Sequence, residues 1–268
     1  RIVQTLLPGE RDVGFMLTFQ PPVNSPFHFL KLDAAIVNGN GSNGFKSEID
    51  NYKDFIGHLN FIKSFNNDKI RAGAGVSYYN GGLGNATNKV YYIGNSDFIF
   101  DPADTLRNLN AKSKRELAGL DAQFSIKNTL GIITLRGEYI AGQQASYANS
   151  TVSPNLLSSS DTYLRDIRGY YIYLVQELFH AKHQVVFKYD VYDPNTGISG
   201  KQIGAPGSGT TPADIHYETY GMGWIYHWDS NVKIMAYYAI VKNESTLLNL
   251  YTKDIRDNVL TIRGQYRF

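Results

Sequence analysis

The chain of 268 residues contains no cysteine, so disulfides and thiolate-ligated metal sites are excluded. Neither sign of charge dominates: 26 Lys and Arg stand against 24 Asp and Glu, a formal net charge of +2. That balance offers no electrostatic basis for binding nucleic acid. Methionine is scarce, with 3 residues, and tryptophan scarcer, with 2. No run approaches the roughly 18 consecutive apolar residues that a transmembrane helix needs. The mean hydropathy of −0.30 reads as soluble. A membrane barrel averages out the same way, because lipid-facing and water-facing residues alternate along its strands. No targeting segment is recognisable, and Arg1 reads as the start of a mature, processed or cut chain.

Catalytic motifs are also wanting. There is no G-x-S-x-G and no Walker-type phosphate loop. His180 and His183 form an H-x-x-H without the Glu of H-E-x-x-H, and they read as solvated turn histidines. His216 and His227 fall near strand ends with no paired nucleophile. Asn243-Glu244-Ser245 matches an N-x-S acceptor by chance. Neither an enzyme nor a cofactor is expected.

What the chain has is aromatic and glycine content: 20 Tyr, 14 Phe and 25 Gly, a β composition. Eleven strands are predicted, at 12–20, 27–38, 54–65, 69–79, 115–126, 129–141, 166–177, 182–192, 214–228, 231–242 and 257–268. Most are far longer than the roughly 5–6 residues usual in soluble sheets. A tilted membrane strand needs about 9–11. Their two faces differ. Leu260, Ile262, Gly264, Tyr266 and Phe268 alternate with Thr261, Arg263, Gln265 and Arg267. Ile133, Leu135, Gly137 and Tyr139 alternate with Thr134, Arg136 and Glu138. Side chains of a strand point alternately to opposite faces, so one face suits lipid and the other water.

Connections alternate too. Short links at 20–26, 66–68, 127–128, 178–181 and 229–230 alternate with long ones at 39–53, 80–114, 142–165, 193–213 and 243–256. Outer-membrane barrels pair short periplasmic turns with longer extracellular loops in this way. The long links hold turn formers such as Asn38-Gly39-Asn40-Gly41, Asn80-Gly81-Gly82 and Pro194-Asn195-Thr196-Gly197. Tyr78, Tyr79, Tyr170, Tyr171, Tyr173, Trp224, Tyr226, Trp228, Tyr237, Tyr238 and Tyr266 cluster near strand ends, as interfacial girdles would. Residues 1–268 thus read as one all-β, transmembrane antiparallel barrel domain. Single-chain bacterial barrels have even strand numbers. Eleven is odd, and the expectation is that at least one N-terminal strand is missing.

The chain resembles the phosphate-selective porin O/P-like family in its Bacteroidetes form. The resemblance is carried in order by Arg11-Asp12-Val13-Gly14, Val37-Asn38-Gly39-Asn40-Gly41, the stretch GAGVSYY from Gly73 to Tyr79, Arg136-Gly137-Glu138-Tyr139-Ile140, Tyr189-Asp190-Val191-Tyr192-Asp193-Pro194-Asn195 and Asp257-Asn258-Val259-Leu260-Thr261-Ile262-Arg263. It implies a sixteen-stranded barrel in the outer membrane, often a homotrimer, in contact with lipid and lipopolysaccharide and passing small anions such as phosphate. The inward-folded constriction loop of such porins would lie largely outside this chain. The final strand would be the signal read by barrel assembly machinery.

With Phe268 toward lipid, Lys31, Arg71, Arg136, Lys188, Lys233, Arg263 and Arg267 face the lumen, together with Asp33, Asp121, Glu138 and Asp190. Arg and Lys rings favour anions in pores. Each such residue also has a plainer reading as a wall salt bridge, with Arg136–Glu138 and Lys188–Asp190 as candidate pairs. Arg71 and Arg263 lack a same-strand acid and are the better selectivity candidates. His58 stands where the family tends to carry a basic residue, which would make the local charge pH-sensitive. A docking subunit of a larger outer-membrane complex is the alternative reading, and an outer-membrane hydrolase a third.

Overall fold

Period-two alternation with long strands leads to one continuous ladder. A computed structural model describes residues 12–39, 51–95, 97–100, 105–152, 160–179 and 182–267. The strands are β1 (Gly14–Phe19), β2 (Leu30–Val37), β3 (Asp54–Phe65), β4 (Ile70–Gly84), β5 (Val90–Gly94), β6 (Asp97–Phe100), β7 (Lys112–Lys127), β8 (Ile132–Ser146), β9 (Thr162–Leu178), β10 (His183–Asp193), β11 (Tyr217–His227), β12 (Val232–Asn243) and β13 (Val259–Tyr266). Eleven of them run in the order β1-β2-β3-β4-β7-β8-β9-β10-β11-β12-β13, each antiparallel to the next. These are the eleven strands expected. β5 and β6 form a hairpin off this path, inside the long link between β4 and β7. Among the described residues β1 and β13 do not pair, so the sheet is open. No described helix is long and apolar enough to cross a membrane.

Strand length suits a bilayer. The 11 residues of β10, at about 3.4 Å each and tilted by about 45°, rise roughly 26 Å, close to the height of a barrel's apolar band. Short turns close one end. Between β3 and β4, Asn66, Asn67 and Asp68 all adopt positive φ, at 51°, 51° and 61°. Asn and Asp tolerate that left-handed region better than other non-glycine residues.

Several boundaries differ from expectation. β4, β7, β8 and β9 each extend three to five residues further toward the long-loop end than 69–79, 115–126, 129–141 and 166–177. The ladder continues there while the apolar-polar alternation that betrays a strand has stopped. Asn80-Gly81-Gly82, read as a turn, lies inside β4. Gly81 is needed for closeness, since a Cβ there would collide with the Asp54 carboxylate. β11 starts at Tyr217, not 214, because Pro212–Asp214 forms a 3-10 turn capped by Thr211. His183 is no solvated turn residue. It opens β10, stacks on Trp224 and Tyr226, and accepts a hydrogen bond from Trp224 Nε1 at 3.2 Å. His180, Asn40, Gly41, Arg11 and Phe268 lie outside the described residues.

Cross-strand partners share a face, so register carries the two-faced reading around the sheet. One face presents Phe15, Leu32, Leu59, Val76, Leu120, Leu135, Ile172, Phe187, Met222 and Ile262, all exposed. Continuous exposed apolar surface of this extent is unlike a soluble monomer and suits lipid. Tyr78, Tyr139, Tyr170, Tyr189 and Tyr220 ring it toward the long-loop end, with Tyr189 and Tyr220 in contact at 4.9 Å. His183, Trp224, Tyr226 and Trp228 stack at the short-turn end. The girdle is narrower than expected, however. Tyr79, Tyr171, Tyr173 and Tyr237 fall on the opposite, polar face. A run of adjacent tyrosines cannot put all its rings on one side of a strand.

Candidate functional site

The polar face is the candidate site. Register pairs Lys31 with Asn60, His58 with Asp33 and Ser77, Arg71 with Ser64 and Ser125, Arg136 with Gln123 and Tyr173, Lys188 with Tyr173 and Gly221, Lys233 with His227 and Gln265, and Arg263 with Met235. All these residues therefore stand on one face, opposite Leu135 and Ile262. Arg267 follows β13 and donates its backbone N–H to Asn231 at 2.8 Å.

The expected wall pairs divide. Lys188 and Asp190 form an ion pair, and so do Lys31 and Asp33 at 2.8 Å. Asp33 also accepts from the Thr18 hydroxyl at 2.6 Å. Arg136 and Glu138 do not pair. Among the described residues neither Arg71 nor Arg136 has an ion-pair partner. Both line a cavity of about 380 Å³ at the short-turn end, with Lys69, Lys127 and the hydroxyls of Ser125 and Thr134. Asp68 and Glu177 are the acids there, so the cations outnumber them two to one. Arg fits oxyanions through its planar fork of donors.

His58 and Asp121 meet at 3.4 Å although β4 lies between their strands. Gly75 of β4 makes this possible: a Cβ at that position would overlap both side chains. The second glycine of the GAGVSYY stretch thus leaves room for a cross-wall contact.

At the long-loop end the same face is buried under the loops. Arg115 (β7) donates to Asp54 at 3.3 Å and to the Tyr79 hydroxyl at 2.8 Å, and Tyr79 in turn donates to Asp54. Arg165 (β9) and Asp214 form a second pair at 2.8 Å, with side-chain exposures of 1% and 0%. Arg165 further donates to Ser146 Oγ at 2.7 Å and to the carbonyls of Tyr147 and Ala148, each at 2.8 Å. The β5–β6 hairpin lies over this point. Tyr91 stacks on Tyr163 at 4.7 Å, and the Arg165 guanidinium sits 5.1 Å from the Phe98 ring centre. Beside the hairpin, Ile198, Ile203 and Ile215 form a small core with Ile93, Tyr217, Leu248 and Tyr251. The polar face is thus open at the short-turn end and capped at the other.

Neither buried pair was anticipated. A signal existed: stepping back by twos from Asp121 reaches Arg115, and from Tyr171 reaches Arg165. Their partners could not be read so, since Asp54 and Asp214 lie 61 and 49 residues away. His216 and His227 sit at opposite ends of β11, too far apart to share a site. Among the described residues no group of three or more His, Asp or Glu could hold a metal ion.

Comparison with known proteins agrees with this geometry. A porin structure refined at 1.8 Å resolution superposes with a TM-score of 0.51 at 12% identity, covering 95% of this chain and 61% of its own. The OmpT outer-membrane protein of Vibrio cholerae, in a form lacking loop L8, gives 0.45 at 11% identity, covering 94% of this chain and 61% of its own. The toluene transporter TodX of Pseudomonas putida gives 0.38 at 12%, covering 95% and 73%. At 12% identity the likeness to the porin is one of fold alone. The fold is the antiparallel wall of an outer-membrane-type β-barrel. The chain spans 61% of the porin it matches. No protein-family profile and no curated protein matches the chain.

Proposed function

We propose that the chain is part of the wall of an outer-membrane porin that passes small solutes and ions passively and prefers anions, phosphate among them. The observation that carries this reading is the unpaired Arg71 and Arg136 beside Lys69 and Lys127 at the open end of the polar face. Guanidinium and ammonium groups without acid partners raise the local concentration of anions and repel cations. The fold of the matched porin supports a channel, and the sequence resemblance supports the phosphate-selective O/P-like family, sixteen strands and a homotrimer. An open edge in lipid is very costly, so β1 and β13 need partner strands to close the wall. Catalysis has no part in this reading.

The test is the reversal potential of the full-length protein in a planar bilayer under a salt gradient. Anion preference is expected, and Arg71→Ala with Arg136→Ala should move the potential toward the cation side. Cation selectivity in the unaltered protein, or no conductance at all, overturns the proposal.

A further inference from the structure

Midway along the polar face, on the long-loop side of the short-turn cavity, the wall changes character. Tyr173 stands in register between Arg136 and Lys188, and Tyr171 between Glu138 and Asp190. Two bases thus meet two acids. Lys188 is already paired with Asp190. Among the described residues Arg136 and Glu138, two positions apart on β8, have no ion-pair partner. A third ring joins them from β12. Tyr237 lies along the backbone of β11, where a Cβ at Gly221 would overlap its hydroxyl and one at Gly223 would stand 2.8 Å from its Cδ2. The two glycines therefore admit the ring against the strand, half-buried like that of Tyr173. Gly221 shares a row with Tyr173, one strand removed by Lys188. Two strand spacings make roughly 10 Å, so the Tyr237 hydroxyl end lies about that far from the Tyr173 backbone.

We infer that Tyr173 and Tyr237 form a binding strip for neutral sugars on the inner wall, with Arg136 and Glu138 as its polar contacts. The inference rests on the channel reading of the fold, but not on anion preference. Three features select the occupant. Acid and base are matched at this level, so Glu138 and Asp190 repel a phosphate about as much as Arg136 and Lys188 attract it. A wholly apolar solute would cover ionised groups and leave them without partners. A pyranose instead has an apolar face to lay on a phenol ring, and hydroxyls that both donate and accept. It can satisfy a carboxylate, which only accepts, and a guanidinium, which only donates, at the same time. The spacing of the two rings suits a pair of linked sugar units.

The experiment places the full-length protein in a planar bilayer and adds maltotriose or cellotriose, with a poly(ethylene glycol) of equal mass and triglycine as controls. Transient block of the open-channel current reports binding. Saturable block by at least one sugar is expected, and none by the polymer. Tyr173→Ala and Tyr237→Ala should each weaken the apparent sugar affinity about twofold to tenfold, as loss of one ring contact implies. Glu138→Leu should weaken it about tenfold or more. Tyr237→Phe keeps the ring and should keep most of the block, which separates sugar contact from packing on β11. Folding of each variant is checked by its gel shift on heating; should Tyr237→Ala fail that check, Tyr173→Ala, whose ring rests on no glycine of β11, decides. Block by neither sugar, equal block by the polymer, or stronger block by triglycine overturns the inference. Unchanged affinity in both Tyr173→Ala and Glu138→Leu overturns it as well. Anion-selective conductance without sugar block sinks this inference alone, whereas no conductance at all sinks the channel reading and the inference with it.

Discussion

Replacing Asp214 by Ala should open the cap without loosening the wall. Arg165 is wholly buried and, among the described residues, would lose its only carboxylate partner. Leaving one member of a buried ion pair alone costs about 3–5 kcal/mol. Asn195 Nδ2 and the Thr211 backbone N–H, each now 2.8 Å from Asp214, would also lose their acceptor. Each orphaned donor adds about 1–3 kcal/mol while it stays dry. These terms do not simply add, because water reaches every donor once the cap opens, and the effect saturates there. A cost of about 3–5 kcal/mol shifts the opening equilibrium by roughly 150- to 5,000-fold. Hydrogen exchange should therefore speed up by that order in residues 195–215 and 147–152. Backbone amides at the middle of β8 and β10 should be unaffected, because their ladder partners do not involve the cap. Adding Arg165→Met to Asp214→Ala should restore part of the protection, since an apolar pair leaves no stranded charge. Unchanged exchange in the loops of the single variant would refute the reasoning. So would equal acceleration in the wall strands, which would mean that cap and wall unfold together.

Three further outcomes follow from the faces and contacts. Leu135→Arg puts a charge on the exposed apolar face and should cost about 2–4 kcal/mol in a vesicle unfolding titration, whereas Thr134→Arg, one residue away on the polar face, should cost little; the reverse ranking would mean the faces are exchanged. Gly75→Val should drive His58 and Asp121 apart, so that His58→Ala alters conductance in the unaltered protein but not in that background, and equal effects in both would dismiss the coupling. Lys188→Ala removes an i, i+2 wall pair and should lower stability by no more than about 1 kcal/mol in the same titration; a larger loss would show that the pair is held dry.

The wall was legible in the sequence because its solvent enforces a strict rule. Inside a bilayer every second residue must be apolar, and every strand must be long enough to cross. Ile133 to Tyr139 and Leu260 to Tyr266 obey that rule openly, so eleven strands, their order and their two faces could be read from period and spacing. The side on which Arg71, Arg136 and Lys188 stand followed from the same parity. Beyond the apolar band the rule lapses, and with it the legibility. β4 continues through Asn80-Gly81-Gly82 because Gly81 admits Asp54, a contact that no local pattern announces. The cap depends on Arg165 finding Asp214, and on Arg115 finding Asp54, across spans of 49 and 61 residues. Which acid meets which base is decided by the positions of strand ends and loops in space. Local sequence determined the wall, since lipid acts on each residue separately. Tertiary structure alone decided the cap and left Arg136 without Glu138, since burial and pairing belong to groups brought together by the fold.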